Sequence, residues 1–584
     1  MLSDFMTPPP ATDVDRCRGQ PLRRALFRWL GLGLALASAA SFSMPAQVAQ
    51  GARVIVSYRA EPRPVVMSDA SAGLRTGGAA RSLALGQRLG LELSSGRWIG
   101  PDTQVLSARG LTASDLVRRL QSDPEVAHAV VDGRVQAHAA PNDPLYASVP
   151  VAQSAGGPAA GQWALKPVTA QTPSAIDAES AWPLTTGADV VVAVLDTGVL
   201  PGHPDLQGRL LPGRDFVSSL PQANDGNGPD GEADDPGDGL TDAEVNAVGG
   251  AFYGGAPTHC SRFNALTGRY EPVDSSWHGT KISAIVAARA NDGYGMSGVA
   301  PDARILPVRV LGKCGGVDSD IIAGMRWAAG LEVDGLPGAA APRARVLNLS
   351  LGGVGPCSAA YQQAIDDVIA RGVVVIVAAG NSAGQAVGTP ANCRGVIAVG
   401  GLRHVGTKVG FSDLGPAITL SAPGGNCVNI RQGEPCLYPL LTATNGGVYG
   451  PDPLAYRHTD SFDFTVGTSF ATGLVSGAAA LMLSVRPDLT VWDVQEILRS
   501  SARPFPTAPA GDTVPECRLP DAQEQLECHC TTALCGAGML DARAAVEGAR
   551  AWVAASPAPV SAGGAMSWPW LLGLLAAGLW LRRR

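Results

Sequence analysis

The chain has 584 residues, a formal net charge of −7, 46% hydrophobic and 16% charged residues, and 72 glycines. A soft prior of ~150 residues per domain makes this too long for one ordinary domain, and glycine well above the usual ~7% describes a loop-rich α/β chain. The apolar share excludes a mostly disordered chain, and the acidic balance lacks the basic footprint of a nucleic-acid binder, so no nucleic-acid partner is expected.

The N-terminus carries Arg16, Arg18, Arg23 and Arg24, then an apolar run from Trp29 to Ala40, then small residues to Ala46. Basic, apolar and small is the order of a secretory signal, so residues 1–46 are expected to direct export and the protein to be secreted or on the cell surface. Beyond Cys17 there are ten cysteines: Cys260, Cys314, Cys357, Cys393, Cys427, Cys436, Cys517, Cys528, Cys530 and Cys535. An even number in an exported chain points to disulfides, whose connectivity does not follow from sequence. Cys528, His529, Cys530 and Cys535 sit close together, but Cys-x-Cys lacks the usual zinc-ligand spacing.

Residues 51–140 read as a small α+β unit, with a strand at Val54–Tyr58, a helix at Ala113–Leu120 and a strand at Val126–Val135. Its place behind a signal suggests a propeptide. Residues 141–165, rich in Pro, Gly and Ala, read as a linker. Past it, apolar strands at Val190–Leu195, Arg304–Val310, Arg345–Leu349 and Val373–Ala378 alternate with helices at His278–Ala288, Ser319–Ala329 and Ala359–Ala370. Continuous apolar strands between helices predict a parallel sheet covered on both faces, with functional groups at the strands' carboxyl ends. Further helices are expected at Thr490–Arg499 and 541–552.

Between Val199 and His278 lie Asp225, Asp230, Glu232, Asp234, Asp235 and Asp238 among glycines. Hard oxygen ligands of this kind can hold a structural calcium, and a solvated acidic loop fits the pattern equally. At the far end a small-residue linker, 553–567, leads to an apolar run, Trp568–Leu581, and Arg582–Arg584. At ~1.5 Å per residue the strictly apolar part is short for a ~30 Å hydrocarbon core. A sorting tail that is cut away and a retained membrane anchor both fit.

Four polar residues stand out against these elements. Asp196 ends the strand Val191–Leu195, where a desolvated carboxylate must find a partner. Asp-Thr-Gly also marks aspartic proteases, but those need two copies and the chain has one. Of eight histidines, only His278 opens a helix in a His-Gly-Thr setting. Asn381 ends the strand from Val373, where its amide can face a cleft, and Ser469 in Gly-Thr-Ser-Phe-Ala sits where a turn meets a helix. A serine hydroxyl needs a base, an orienter for that base, and donors for an oxyanion.

In chain order, Asp196, His278, Asn381 and Ser469, with their motifs Val-Leu-Asp-Thr-Gly, His-Gly-Thr, Ala-Ala-Gly-Asn and Gly-Thr-Ser-x-Ala, resemble the subtilisin family of serine proteases over roughly residues 160–550. The resemblance implies a three-layer α/β/α peptidase domain at 166–552, an inhibitory propeptide before it, no cofactor for catalysis, and protein or peptide substrates. It implies Ser469 as nucleophile, His278 as proton relay, Asp196 as orienter and Asn381 as oxyanion donor. It also implies that Ser350, Leu351, Gly352 and Gly353, and Ala378, Ala379 and Gly380, form the walls of a specificity pocket with Gly388 near its floor. Such small residues predict a deep neutral pocket for a large apolar side chain. Cys357 and Cys393 flank those walls, so their pairing would staple the pocket; Cys260 with Cys314 and Cys427 with Cys436 are the other candidate pairs. A monomer is expected. Two departures stand out: Lys281 replaces the family's usual second histidine, and Phe470 its methionine. A lysine one turn after His278 is expected to lower the imidazole pKa.

Overall fold

The computed structural model describes residues 52–59, 70–132, 140–147, 161–258, 260–334, 336–339, 343–425, 438–459, 466–509, 511–521 and 523–553. The signal segment, the C-terminal tail and the Cys427–Cys436 candidate lie outside the described residues. The chain divides into two compact units, Met1–Arg134 and Val135–Arg584.

The first unit contains β1 (Ala52–Tyr58), α1 (Ala70–Leu89), β2 (Leu93–Trp98), β3 (Thr103–Ala108), α2 (Ala113–Gln121) and β4 (Val126–Val131). The strands form an antiparallel sheet in the order β2-β3-β1-β4. Alternate residues of β1, Val54 and Val56, pack with Leu106 and with Leu116 and Leu120 of α2 into a core of their own. Thr112 caps α2 by accepting from the Asp115 backbone N–H at 3.1 Å.

In the second unit, seven strands form one sheet. They are β5 (Val191–Asp196), β6 (Arg214–Asp215), β7 (Arg304–Arg309), β8 (Val346–Leu349), β9 (Val374–Ala378), β10 (Ile397–Leu402) and β11 (Ile418–Pro423). They run β11-β10-β9-β8-β5-β7-β6, every neighbouring pair parallel. The helices that concern the site are α3 (His278–Ala287), α4 (Asp318–Ala328), α5 (Ala359–Ala370), α6 (Thr468–Val485), α7 (Val491–Ser500) and α8 (Ala542–Ala551).

Strand alternation explains the three layers. Val192 and Val194 of β5, with Val374 and Ile376 of β9, pack under α3, α6 and α8. Their neighbours Val191, Ala193, Leu195, Val375 and Val377 pack on the opposite face with Ile321 and Met325 of α4 and Ile365 and Val368 of α5. Both faces being covered is why these strands read as unbroken apolar runs. The same parity puts Asp196 on the face shared by α3 and α6.

Residues 141–165 are more than a connector. Tyr146, Trp163, Ala164 and Leu165 are buried in the core beneath α6. Composition concealed this because the few anchoring side chains sit among small ones.

α6 is buried along nearly its whole length, which its small residues permit. Gly477 shows how close the packing is: a Cβ there would lie 2.5 Å from the Val299 Cβ. We expect Gly477→Ala to destabilise the second unit by about 1–3 kcal/mol, as overpacking does, read as a lower urea midpoint; an unchanged midpoint would show that the helix has slack.

Candidate active site

Asp196, at the end of β5, is 1% exposed. It accepts from the Thr197 backbone N–H at 2.8 Å, and both its carboxylate oxygens face His278 Nδ1, at 2.8 and 2.9 Å. With Nδ1–H donating, Nε2 is left as the acceptor. His278 is the first residue of α3, behind Trp277, whose positive φ of 51° is a strained conformation for a bulky residue. Burial of the Trp277 ring and its indole N–H bond to Gly447 O, 3.1 Å, hold it there. The glycine of the His-Gly-Thr motif has a direct reason: a Cβ on Gly279 would stand 2.0 Å from Gly198 O, so any larger residue would push α3 off β5.

Part of the acidic insertion supports this pair. Asp235 accepts from Thr197 Oγ1 at 2.7 Å, and Thr197 Oγ1 in turn accepts from Gly279 N–H at 3.1 Å. Asp238 accepts from Ser276 Oγ at 2.7 Å, and Ser276 Oγ accepts from His278 N–H at 3.2 Å. Asp225 pairs with the buried Arg309 at 2.6 Å, and Asp230 accepts from Glu232 N–H at 2.8 Å. Burial, then the charges of Glu232 and Asp230, raises Asp234 above the usual carboxylate range. Among the described residues, the group of three candidate metal-ligating side chains found together is Cys517, Cys530 and Cys535, all in disulfides. No calcium ligand is assigned to the loop's carboxylates.

Ser469 is the second residue of α6 and 7% exposed. Its Oγ donates to Ser350 O at 3.2 Å rather than to His278 Nε2, and Ser350 Oγ donates back to Ser469 O at 2.9 Å. The imidazole is nonetheless adjacent: its ring centroid lies 6.0 Å from that of Phe470, the next residue. Asn381 Oδ1 accepts from Thr468 N–H at 2.9 Å and from Thr468 Oγ1 at 3.0 Å. Two donors on Oδ1 fix the amide, so Nδ2 is turned away from Thr468. Sequence reasoning named Asn381 but missed Thr468, which immediately precedes the serine.

A cleft of about 410 Å³ opens beside Ser469, and both wall segments, 350–353 and 378–380, line it together with Gly388 and Asn381. Cys357–Cys393 closes the wall, joined by the Gly353–Thr389 bridge, and Cys260–Cys314 also forms. The pocket is not neutral as expected. Asp413 lines it too, its carboxyl pushed up to about 6 by burial. Nothing in the wall motifs announces Asp413, which comes from the loop after β10. Cys517–Cys528 and Cys530–Cys535, not foreseen, complete the described disulfides.

A buried carboxylate–imidazole pair, a serine at a helix start and a fixed amide around one cleft define a serine peptidase of subtilisin type. Residues 187–537 match the Subtilase family, and the chain belongs to that family. It is 35% identical to an extracellular protease of Xanthomonas campestris pv. campestris over 85% of this chain and 73% of that protein. It is 34% identical to an extracellular basic protease of Dichelobacter nodosus over 74% of this chain and 64% of that protein. Among solved structures, a protease from Pseudoalteromonas arctica PAMC 21717 aligns over 70% of this chain and all of its own, with 36% identity and a TM-score of 0.55.

Burial works against an imidazolium at His278, but the charge and hydrogen bond of Asp196 outweigh it and raise the pKa above its ordinary value. Lys281 opposes this, as its place in the sequence suggested. It is 2% exposed, and burial pushes it down to about 8 against the pull of Asp238, Asp235 and Asp196. Lys281→Met removes a charge that repels the imidazolium, so His278 must rise further. The acid limb of kcat/KM should move to higher pH by about half a unit; a limb that stays put or moves down would show that Lys281 does not act on His278.

Proposed function

We propose that the protein is a secreted serine endopeptidase, made as a zymogen, that cleaves proteins through Ser469, His278, Asp196 and Asn381. The observation that carries this is the Asp196–His278 pair at 2.8 Å, with the imidazole ring 6.0 Å from that of Phe470, the residue after Ser469. Rotation of Ser469 about its Cα–Cβ bond breaks the resting contact with Ser350 O and turns Oγ toward Nε2. His278 then takes the hydroxyl proton as Oγ attacks the peptide carbonyl, and Asp196 stabilises the imidazolium that forms. The oxyanion receives Asn381 Nδ2–H and the Ser469 backbone N–H, whose position at the start of α6 also favours negative charge. The imidazolium next protonates the leaving amine, and a water, deprotonated by the same imidazole, releases the acyl group.

The names of the relatives support secretion, as does the signal-like N-terminus. The first unit, with its own core and its place ahead of the peptidase domain, is read as the intramolecular inhibitor. Glycines at 352, 353, 380 and 388 leave room for a large side chain before the cut. Cleavage of a peptide library mainly after small or acidic residues would contradict that.

Ser469→Ala should abolish both peptide hydrolysis and labelling by a fluorophosphonate probe. Asn381→Ala should label and cleave slowly. The equivalent donor in a subtilisin, a member of the same family and the source of this magnitude, is worth ~10²–10³ in kcat. Probe labelling that survives in Ser469→Ala would remove the assignment.

A further inference from the structure

Asp413 lies between β10 and β11, 4% exposed, and bonds to the main chain on both sides of Asn381. Its Oδ1 accepts from Ser382 N–H at 2.9 Å and Gln385 N–H at 3.1 Å, while its own N–H donates to Gly380 O at 3.0 Å. A Cβ on Gly380, whose φ is +115°, would stand 2.2 Å from Asp413 Oδ2. The carboxyl thus fills the space behind the wall, and no side chain can come between it and the loop.

Asp413 is itself held from behind. Lys408, 1% exposed, donates through Nζ to Val409 O and Gly410 O, both at 3.1 Å, and to Ser412 O at 2.9 Å. An ammonium enclosed by three carbonyls fixes the turn that delivers Asp413. Two further bonds, Ala383 N–H to Phe411 O at 2.9 Å and Leu414 N–H to Gln385 O at 3.0 Å, lace that turn to the same loop.

We propose that Asp413, braced by Lys408, is a positioning residue that holds the 380–385 loop so that the Asn381 amide meets the oxyanion. This rests on the role given to Asn381 above. The amide plane is set by Thr468, but the backbone that carries the side chain is set by Asp413, so a loose loop would leave the donor short of a charge that exists only transiently. Burial pushes Asp413 up to about 6 and Lys408 down to about 7, and each charge favours the other. Charge-assisted bonds of this kind are roughly twice as strong as neutral ones.

The test is a double-mutant cycle on a chromogenic peptide, with folding checked by thermal unfolding. Asp413→Ala should lower kcat about tenfold to a hundredfold, no more than the ~10²–10³ of losing the donor outright. Asp413→Asn keeps an acceptor oxygen and should lose only about threefold to tenfold, having given up the charge assistance. In the Asn381→Ala background, either substitution should cost no further kcat, because both act through one group. Losses that multiply in the double variants, or an Asp413→Asn kcat equal to wild type, would overturn the proposal. If Asp413→Ala does not fold, Asp413→Asn alone carries the cycle. An Asn381→Ala enzyme with undiminished kcat would instead bring down the oxyanion reading, and this one with it.

Discussion

The site depends on how α6 is seated on the sheet. Asn348 of β8 and Ser476 of α6 are both fully buried, and Ser476 Oγ donates to Asn348 Oδ1 at 2.8 Å. Asn348 Nδ2 donates to Ser350 Oγ at 2.9 Å, and Ser350 exchanges hydrogen bonds with Ser469. A polar thread through an otherwise apolar interface thus fixes the helix both along its axis and in rotation. Buried groups of this kind are costly when left unpaired, so the register that pairs them all is strongly favoured. Because Ser469 lies at the N-terminal end of that helix, fixing the helix fixes the serine.

Around this apolar frame the protein places several buried charges, each compensated within the fold. Arg309, 1% exposed, meets the carboxylates of Asp215 and Asp225 and the carbonyls of Ala223 and Thr197. Burial pushes Asp235 up to about 7, with the charge of Asp238 adding to it. Removing one partner from such a set typically costs ~3–5 kcal/mol, because the other charge stays buried. Part of the long acidic insertion therefore does structural work beside the Asp196–His278 pair, through Asp235 on Thr197 and Asp238 on Ser276, while Glu232 and Asp234 stay exposed.

The sequence made some of this legible for physical reasons. Strands buried on both faces, such as β5 and β9, announce themselves as apolar runs, and Asp196 and Asn381 are conspicuous because they end such runs. The wall segments at 350–353 and 378–380 could be named from the family resemblance and do line the cleft. By contrast β10 carries Gly400 and Gly401 at its centre and β11 carries Thr419 and Ser421, so neither has a strand's usual pattern. Asp413 and Thr468 act through contacts with residues 28 or more positions away, as their bonds to Gln385 and Asn381 show. Local patterning carries no trace of those. For the insertion's acids, composition left a calcium site and a solvated loop equally open, because it cannot reveal that Asp225 faces an arginine and Asp235 a threonine.

The resting contact of Ser469 with Ser350 O bears on how much of the site is prepared in advance. A neutral hydrogen bond is worth about 0.5–1.5 kcal/mol net, so exchanging Ser350 O for His278 Nε2 as acceptor is nearly balanced and needs one side-chain rotation. The elements that would be expensive to rearrange, the Asp196–His278 pair, the Asn381 amide and the helix start, are already fixed by two or more hydrogen bonds or by burial. Preorganised dipoles act most strongly in a water-poor site because they need not reorient as charge develops. On the mechanism proposed above, the one movement required is that of the hydroxyl, while the groups assigned to the developing charges are already held by hydrogen bonds.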